Sequence, residues 1–220
     1  MRTLHVSVRE ARMSVERTLL TCGVPSGAAH GVRECILLSE ALGLGGFRYL
    51  LEKHACLQWA AFQSVAAKDS ALDGGGIHAW LVLPTLMDLA VAQARRDGVA
   101  VLIVTNVVEP RELKVAEALA KRYGAEAAVL EGAIAVRNAS RPVTAEQWDP
   151  LLRAAMKHGF DVAEETWRAL HALSNGALAP DSVVSRRHAG PVILQDDGSI
   201  RGRLPQDDDF DMSMLKKVAS

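Results

Sequence analysis

Four polar residues close behind an apolar run carry the strongest chemical signal in this chain. Val99–Val104 is followed by Thr105, Asn106, Glu109 and Arg111. If the run is a strand of an open α/β sheet, these residues stand at its carboxyl end, where such sheets bind ligands. Arg111, near a helix amino terminus, could clamp a carboxylate through paired N–H donors, which favours small acids as ligands. The plainer use of the same residues is a surface ion pair between Glu109 and a nearby lysine or arginine. A second candidate is Asp73-Gly74-Gly75-Gly76-Ile77-His78. A glycine-rich turn ahead of a helix can cradle an anion on exposed N–H groups. It has neither the Walker spacing nor a G-x-G-x-x-G behind a strand, so a simple connecting turn that delivers His78 to the helix start stays open.

The other reactive residue types are scattered. The seven histidines form no H-x-x-H, H-E-x-x-H or Cys/His cluster, and no metal site is assigned. His158 and His171 fall on separate expected helices, and His188, beside Arg186 and Arg187, is the best imidazole for a polar site. No G-x-S-x-G elbow occurs. Cys22, Cys35 and Cys56 are odd in number and include no C-x-x-C pair, which reads as reduced core thiols in a cytoplasmic protein. Asp88, inside an apolar helix, must face solvent or find a basic partner such as Arg95.

The elements that would position these groups follow from periodicity and punctuation. A short extended start at Leu4–Val8 precedes a helix closed by Gly23, and Ser26 is a plausible N-cap for a second. The spacing predicts a third helix over 47–66, a loop over 68–76 and a helix over 81–96. The strand Val99–Val104 reads as buried on both faces. A helix over 111–123, opened by Pro110 and stopped by Gly124, leads to a second apolar run, Ala127–Val136, broken at Glu131-Gly132. That strand–helix–strand order implies a right-handed crossover between parallel strands. Thr144-Ala-Glu-Gln147 is a capping box for a helix to about His158, and Asp161-Val-Ala-Glu164 repeats the signal for one to about Ser174. Asp196-Asp197-Gly198 marks a hairpin turn. The expected organisation is an α/β domain over 1–137, a helical and hairpin lobe over 138–204, and an acidic tail over 205–220.

Composition narrows the function classes. With 49% hydrophobic and 23% charged residues in 220, the chain can bury a substantial core. A net charge of −1, with arginine pairs that extend into no basic run, argues against nucleic acid as a partner. The charge-studded amino terminus is not a signal peptide. The best membrane-span candidate, Ala79–Ala94, is interrupted by Pro84 and Asp88, so no membrane partner is expected.

With these segments placed, the first 137 residues resemble the amino-terminal portion of the type-2 malate/L-lactate dehydrogenase family. The similar parts are Val15–Leu51 and Asp73–Val136, including a glycine turn before LMDLAVAQARRDG and a strand like VAVLIVTN. The resemblance implies a non-Rossmann α/β scaffold with a βαβ unit, plus a small helical carboxyl-terminal part. It also implies NAD(P) as cofactor and 2-keto, 2-hydroxy or cyclic imino acids as substrates. Arg48 fits the family's substrate-carboxylate arginine, while Gly74, Gly75, Gly76, Thr105, Asn106 and Arg111 fall in its cofactor-contacting region. Two departures stand out. Leu44-Gly45-Gly46-Phe47-Arg48 lacks the family's proton-donating histidine, and Asn106 is followed by Val107 where the family has a cofactor-contacting histidine. The carboxyl-terminal part, from AEQWDPLLRAAMKHGFDVAEETW through SRRHAG, looks like an uncharacterised bacterial family of chains about this size.

Two functions follow. One is an oxidoreductase-like enzyme on a small carboxylated substrate, with Arg48 as anchor and His54, His78 or His188 as substitute acid or base. The other is a non-catalytic binding or assembly protein that keeps the scaffold as a homodimer or larger homo-oligomer.

Overall fold

The computed structural model describes residues 2–57, 64–138, 144–178, 192–194, 196–197 and 199–202. It is a mixed α/β protein. Strand β1 (Thr3–Val6) leads into helices α1 (Val8–Thr21), α2 (Ser26–Ala41) and α3 (Gly46–Lys53). Strands β2 (Ala66–Lys68) and β3 (Ala71–Asp73) precede helix α4 (Ala79–Asp97) and strand β4 (Val99–Thr105). A 3-10 turn, Pro110–Val115, runs into α5 (Ala116–Arg122), followed by β5 (Ala125–Leu130) and β6 (Ala133–Asn138). Helices α6 (Ala145–Trp148) and α7 (Pro150–His158), strand β7 (Phe160–Ala163), helix α8 (Glu164–Ser174) and strands β8 (Val192–Leu194) and β9 (Ile200–Gly202) complete the described chain. By internal contacts it forms two compact units, Met1–Ala177 and Leu178–Ser220. The second holds the antiparallel pair β8–β9, joined across the expected turn at Asp196-Asp197.

In the first unit the main sheet runs β2-β3-β4-β6-β5. β3 and β4 pair in parallel, Asp73 opposite Thr105, so β3-α4-β4 is a βαβ unit. β6 is antiparallel to both β4 and β5, which makes β4 and β5 parallel strands two positions apart. The expected connection between parallel strands is therefore there. Its second strand breaks at Glu131-Gly132 into a hairpin whose returning arm slots between the two parallel strands.

The β-branched run of β4 does not lie buried on both faces. Ala100, Leu102 and Val104 are buried against α4, whereas Val99, Val101 and Ile103 are 54%, 48% and 52% exposed. The chain supplies helices to one face of these strands among the described residues, so the apolar alternates have nothing to pack on. Three further expectations are corrected. α3 ends at Lys53 and a 3-10 turn follows to Leu57, while Ala66 starts β2 rather than closing a helix. The expected loop over 68–76 contains β3. Asp161-Val-Ala-Glu164 is strand β7 running into α8, because Phe160–Ala163 pairs antiparallel with Val6–Thr3. The Thr144/Gln147 capping box does form, with both reciprocal bonds at 3.3 Å. Asp149-Pro150 then divides the expected single helix, and Asp149 caps α7 at Leu152 N.

The core collects α1, α2, α3, α4 and α8 around Leu19, Ile36, Phe47, Trp80 and Leu170, all fully buried. Phe47 meets Phe160 edge-on at 5.3 Å and Trp167 at 6.1 Å, which binds the first helices to the segment around β7. A buried ion network crosses the same elements. Glu34 accepts from Arg12 at 3.0 Å and Arg122 at 3.2 Å and pairs with Arg33 at 2.9 Å, while Arg122 also holds Asp149. Burial pulls the Glu34 carboxyl up, but the surrounding guanidiniums outweigh it and hold it below the usual carboxylate range. Asp88 finds the Tyr123 hydroxyl at 3.0 Å rather than Arg95, which donates to the Tyr123 carbonyl at 3.3 Å instead. No helix among the described residues is long and apolar enough to cross a membrane.

Candidate functional site

The carboxyl ends of β3 and β4 meet in a laced pair of loops. Gly74 N–H donates to Thr105 O (2.9 Å), Gly76 N–H to Asn106 O (2.8 Å), and Gly75 N–H to Asp73 Oδ1 (2.9 Å). Asn106 Nδ2 donates to the same Asp73 oxygen at 3.1 Å. Val108 N–H donates to Ile77 O, and Ala79 N–H to Val108 O. The glycine N–H groups that an anion would use are thus already committed, and the triplet works as a joint between two loops. Glycine is required there by space. A β-carbon on Gly74 would come within 2.7 Å of Val107 Cγ2, and one on Gly75, whose φ is +61°, within 2.1 Å of Ser64 Oγ.

His78 follows from that joint. Its Nδ1 accepts from Trp80 N–H at 3.2 Å, capping α4, and its ring lies 4.4 Å from the Trp80 ring. Burial, with a smaller push from the Lys53 charge, lowers its pKa to about 4. It is a neutral capping group near pH 7, and its Nε2 has no partner among the described residues. Trp80 Nε1 in turn donates to Glu112 Oε2 at 2.9 Å, carrying a fully buried carboxylate beneath the loop.

Beyond the joint the loop after β4 is strained and charged. Asn106 and Glu109 both take left-handed backbone, at φ 53° and 55°. Asparagine tolerates this region, while glutamate does so at a cost on the order of 1 kcal/mol. Ion pairs hold Glu109 in place, with Lys53 at 3.7 Å and Arg111 at 3.5 Å. The Arg111 guanidinium lies 3.8 Å above the Tyr49 ring, and Arg48, one residue earlier on α3, reaches the same ring at 5.7 Å. Two arginines from separate elements therefore converge on one aromatic side chain. Arg48 also pairs with Glu52 at 3.7 Å, and its side chain is 64% exposed.

Beside Arg111 opens a groove of about 710 Å³, walled by Leu44, Val104, Val107, Leu113 and Val129, with Asn106, Arg111, Lys114 and the acidic Glu131 as its polar members. An apolar cleft with a few convergent polar groups is the usual form of a small-molecule site. The structure thus groups Asn106 and Arg111 on the groove and brings Arg48 to Arg111 across Tyr49. Thr105 gives its carbonyl to the glycine joint, and His54 Nδ1 bonds Leu51 O at 2.7 Å within its own helix segment. His188 lies outside the described residues. No group of three or more histidine, cysteine, aspartate or glutamate side chains placed to hold a metal occurs among the described residues. Tyr49, Lys53, Trp80 and Glu112 were not singled out in the sequence. Each owes its role to a residue at least thirty positions away or on another element, and no local pattern announces that.

No protein-family model matches the chain, and no curated protein sequence does. Among solved structures, malate dehydrogenase from Entamoeba histolytica is similar over 80% of this chain, at 13% identity and a TM-score of 0.42. The chain spans 62% of that enzyme's length.

Proposed function

We propose that the chain binds a small carboxylated molecule, a 2-keto, 2-hydroxy or cyclic imino acid, in the groove beyond β4. The observation that carries this is the convergence of Arg48 and Arg111 on Tyr49, with Arg111 itself lining an apolar cleft. Guanidinium forks hold a carboxylate in two parallel bonds, the aromatic ring orients them, and the incoming acid would compete with Glu109 for Arg111 and with Glu52 for Arg48. The apolar wall would take the carbon skeleton. Of the candidate imidazoles, His78 is neutral and buried and His54 is bonded to its own helix, so both are poor proton donors to this groove. Binding is therefore the better supported half of an oxidoreductase-like role.

Calorimetric titration with a panel of such acids and their amides tests the reading. The acids should bind and the amides should not, and Arg111→Gln should weaken the acids by about tenfold, the worth of one charged hydrogen bond. An equal response to acid and amide, or acid binding untouched by Arg111→Gln and Arg48→Gln together, defeats it. Titration with NADH and NADPH, followed by protein fluorescence, decides the oxidoreductase part. A second reading, an assembly protein on this scaffold, is favoured by one separate observation, the uncovered apolar face of the main sheet.

A further inference from the structure

We infer that the uncovered face of the main sheet is where a second copy of this chain docks, sheet against sheet. This deepens the assembly reading above and is independent of the carboxylate groove. The face has relief. Val99, Val101 and Ile103 of β4 form a ridge of β-branched side chains, half exposed along its whole length. The residues paired with them on β6 are Arg137, Ala135 and Ala133, and those beyond on β5 are Glu126, Ala128 and Leu130. The alanines thus leave a trough beside Val101 and Ile103, closed at the Val99 end by the exposed Arg137–Glu126 ion pair and seen as a hollow of about 230 Å³ bordered by Val99, Ala128, Ala135 and Arg137. Leu130, 58% exposed, closes the far side.

A ridge beside a trough is complementary to itself. A two-fold axis lying between the facing sheets, parallel to the strands and midway between β4 and β6, sets each copy's ridge over the other's trough. Such isologous contacts are the commonest way identical chains associate. Aligned sheets pack about 10 Å apart when side chains interdigitate in this way.

Area and edges point the same way. Strands β4, β6 and β5, about 4.8 Å apart and roughly 20 Å long, offer on the order of 300 Å² in projection before side-chain relief and the flanking β2–β3 are added. Counted over both copies that is about 600 Å² before those additions, which with them belongs to the weak, transient class below about 1,200 Å², suited to a dimer no tighter than micromolar. An edge-to-edge pairing is less available. At the β5 edge the Val129 N–H already donates to Glu117 Oε1 at 3.2 Å, and the β2 edge is only three residues long.

Light scattering of the full chain over a concentration series reaching about 100 µM tests this against a micromolar dissociation constant. The mass should rise from 23.6 kDa toward twice that value. Val101→Glu and Ile103→Glu should hold the chain monomeric with an unchanged circular dichroism spectrum. Met156→Glu, on the exposed face of α7, should dimerise like the parent chain. Val101→Thr, which keeps shape and adds one hydroxyl, should weaken the dimer measurably and keeps the test valid if a charged variant fails to fold. A parent chain that stays monomeric throughout overturns the assembly reading itself. A dimer that survives Val101→Glu, Ile103→Glu and Val101→Thr unweakened leaves that reading standing and overturns this face.

Discussion

Because the Trp80 N–H donates to His78 Nδ1 and the ring is fully buried, the imidazole is locked in one neutral tautomer. Its pKa of about 4 in the folded chain lies below the ordinary 6.5. As the pH falls, the unfolded chain therefore takes up the proton first. The stability conferred by the neutral form is complete above about 6.5 and drains away toward 4, by up to about 3 kcal/mol. His78→Asn keeps a cap oxygen for the Trp80 N–H and removes the titration. At pH 7 the variant should be about 1–2 kcal/mol less stable, through lost packing on Trp80. Between pH 6.5 and 4 its urea midpoint should fall much less than that of the parent. Equal slopes would assign the pH dependence to another group. The residue that reads as a catalytic imidazole in the sequence is thus a helix cap. The glycine-turn motif already allowed His78 a place at the helix start, and its bond from Trp80 N–H and its burial settle that role.

At the scale of elements, the helices were largely legible and the short strands were not. α1, α2, α4 and α8 announce themselves by apolar spacing and end signals. β3 is three residues, Ala-Leu-Asp, ahead of a glycine triplet, and it becomes a strand only through β4, some thirty residues later. β7 carries a capping signal and becomes a strand only because β1 pairs with it. For the site, the sequence placed Asn106 and Arg111 correctly at the strand end, but not the ring that joins Arg111 to Arg48. The start of α3 shows how tightly elements constrain single residues. A β-carbon on Gly46 would lie 2.3 Å from Ile36 O and 3.0 Å from Glu40 N, both backbone atoms of α2. Glu40 Oε2 also accepts from Phe47 N–H at 2.9 Å, so α3 cannot simply back away. Gly46→Ala should cost about 3 kcal/mol in chemical denaturation, the upper range for overpacking. Because α3 carries Arg48 and Tyr49, it should also weaken carboxylate binding.

At the scale of the whole molecule, the expected boundary near residue 137 falls inside the first compact unit, Met1–Ala177. The later segment lends Phe160 and Trp167 to Phe47, and Asp149 to Arg122. A chain ending at Ala177 should keep a single cooperative unfolding transition with a midpoint close to that of the full chain. One ending at Arg137 should melt broadly, having exposed Phe47 and left Arg122 without its aspartate. Losing one partner of a buried pair alone costs about 3–5 kcal/mol. A sharp transition in the shorter chain would instead establish residues 1–137 as an autonomous domain.

The pairing of Thr3–Val6 with Phe160–Ala163 has a consequence for synthesis. On a ribosome adding about 5–20 residues per second, β1 emerges first and waits roughly 10–30 s for its partner strand. During that interval β1 has an open edge, and the α1 side chains that later pack on α8 are uncovered. Thr3–Val6 is therefore made well before the strand that completes its native contacts. Nascent chains stalled before residue 160 should be the form of this protein most dependent on chaperones.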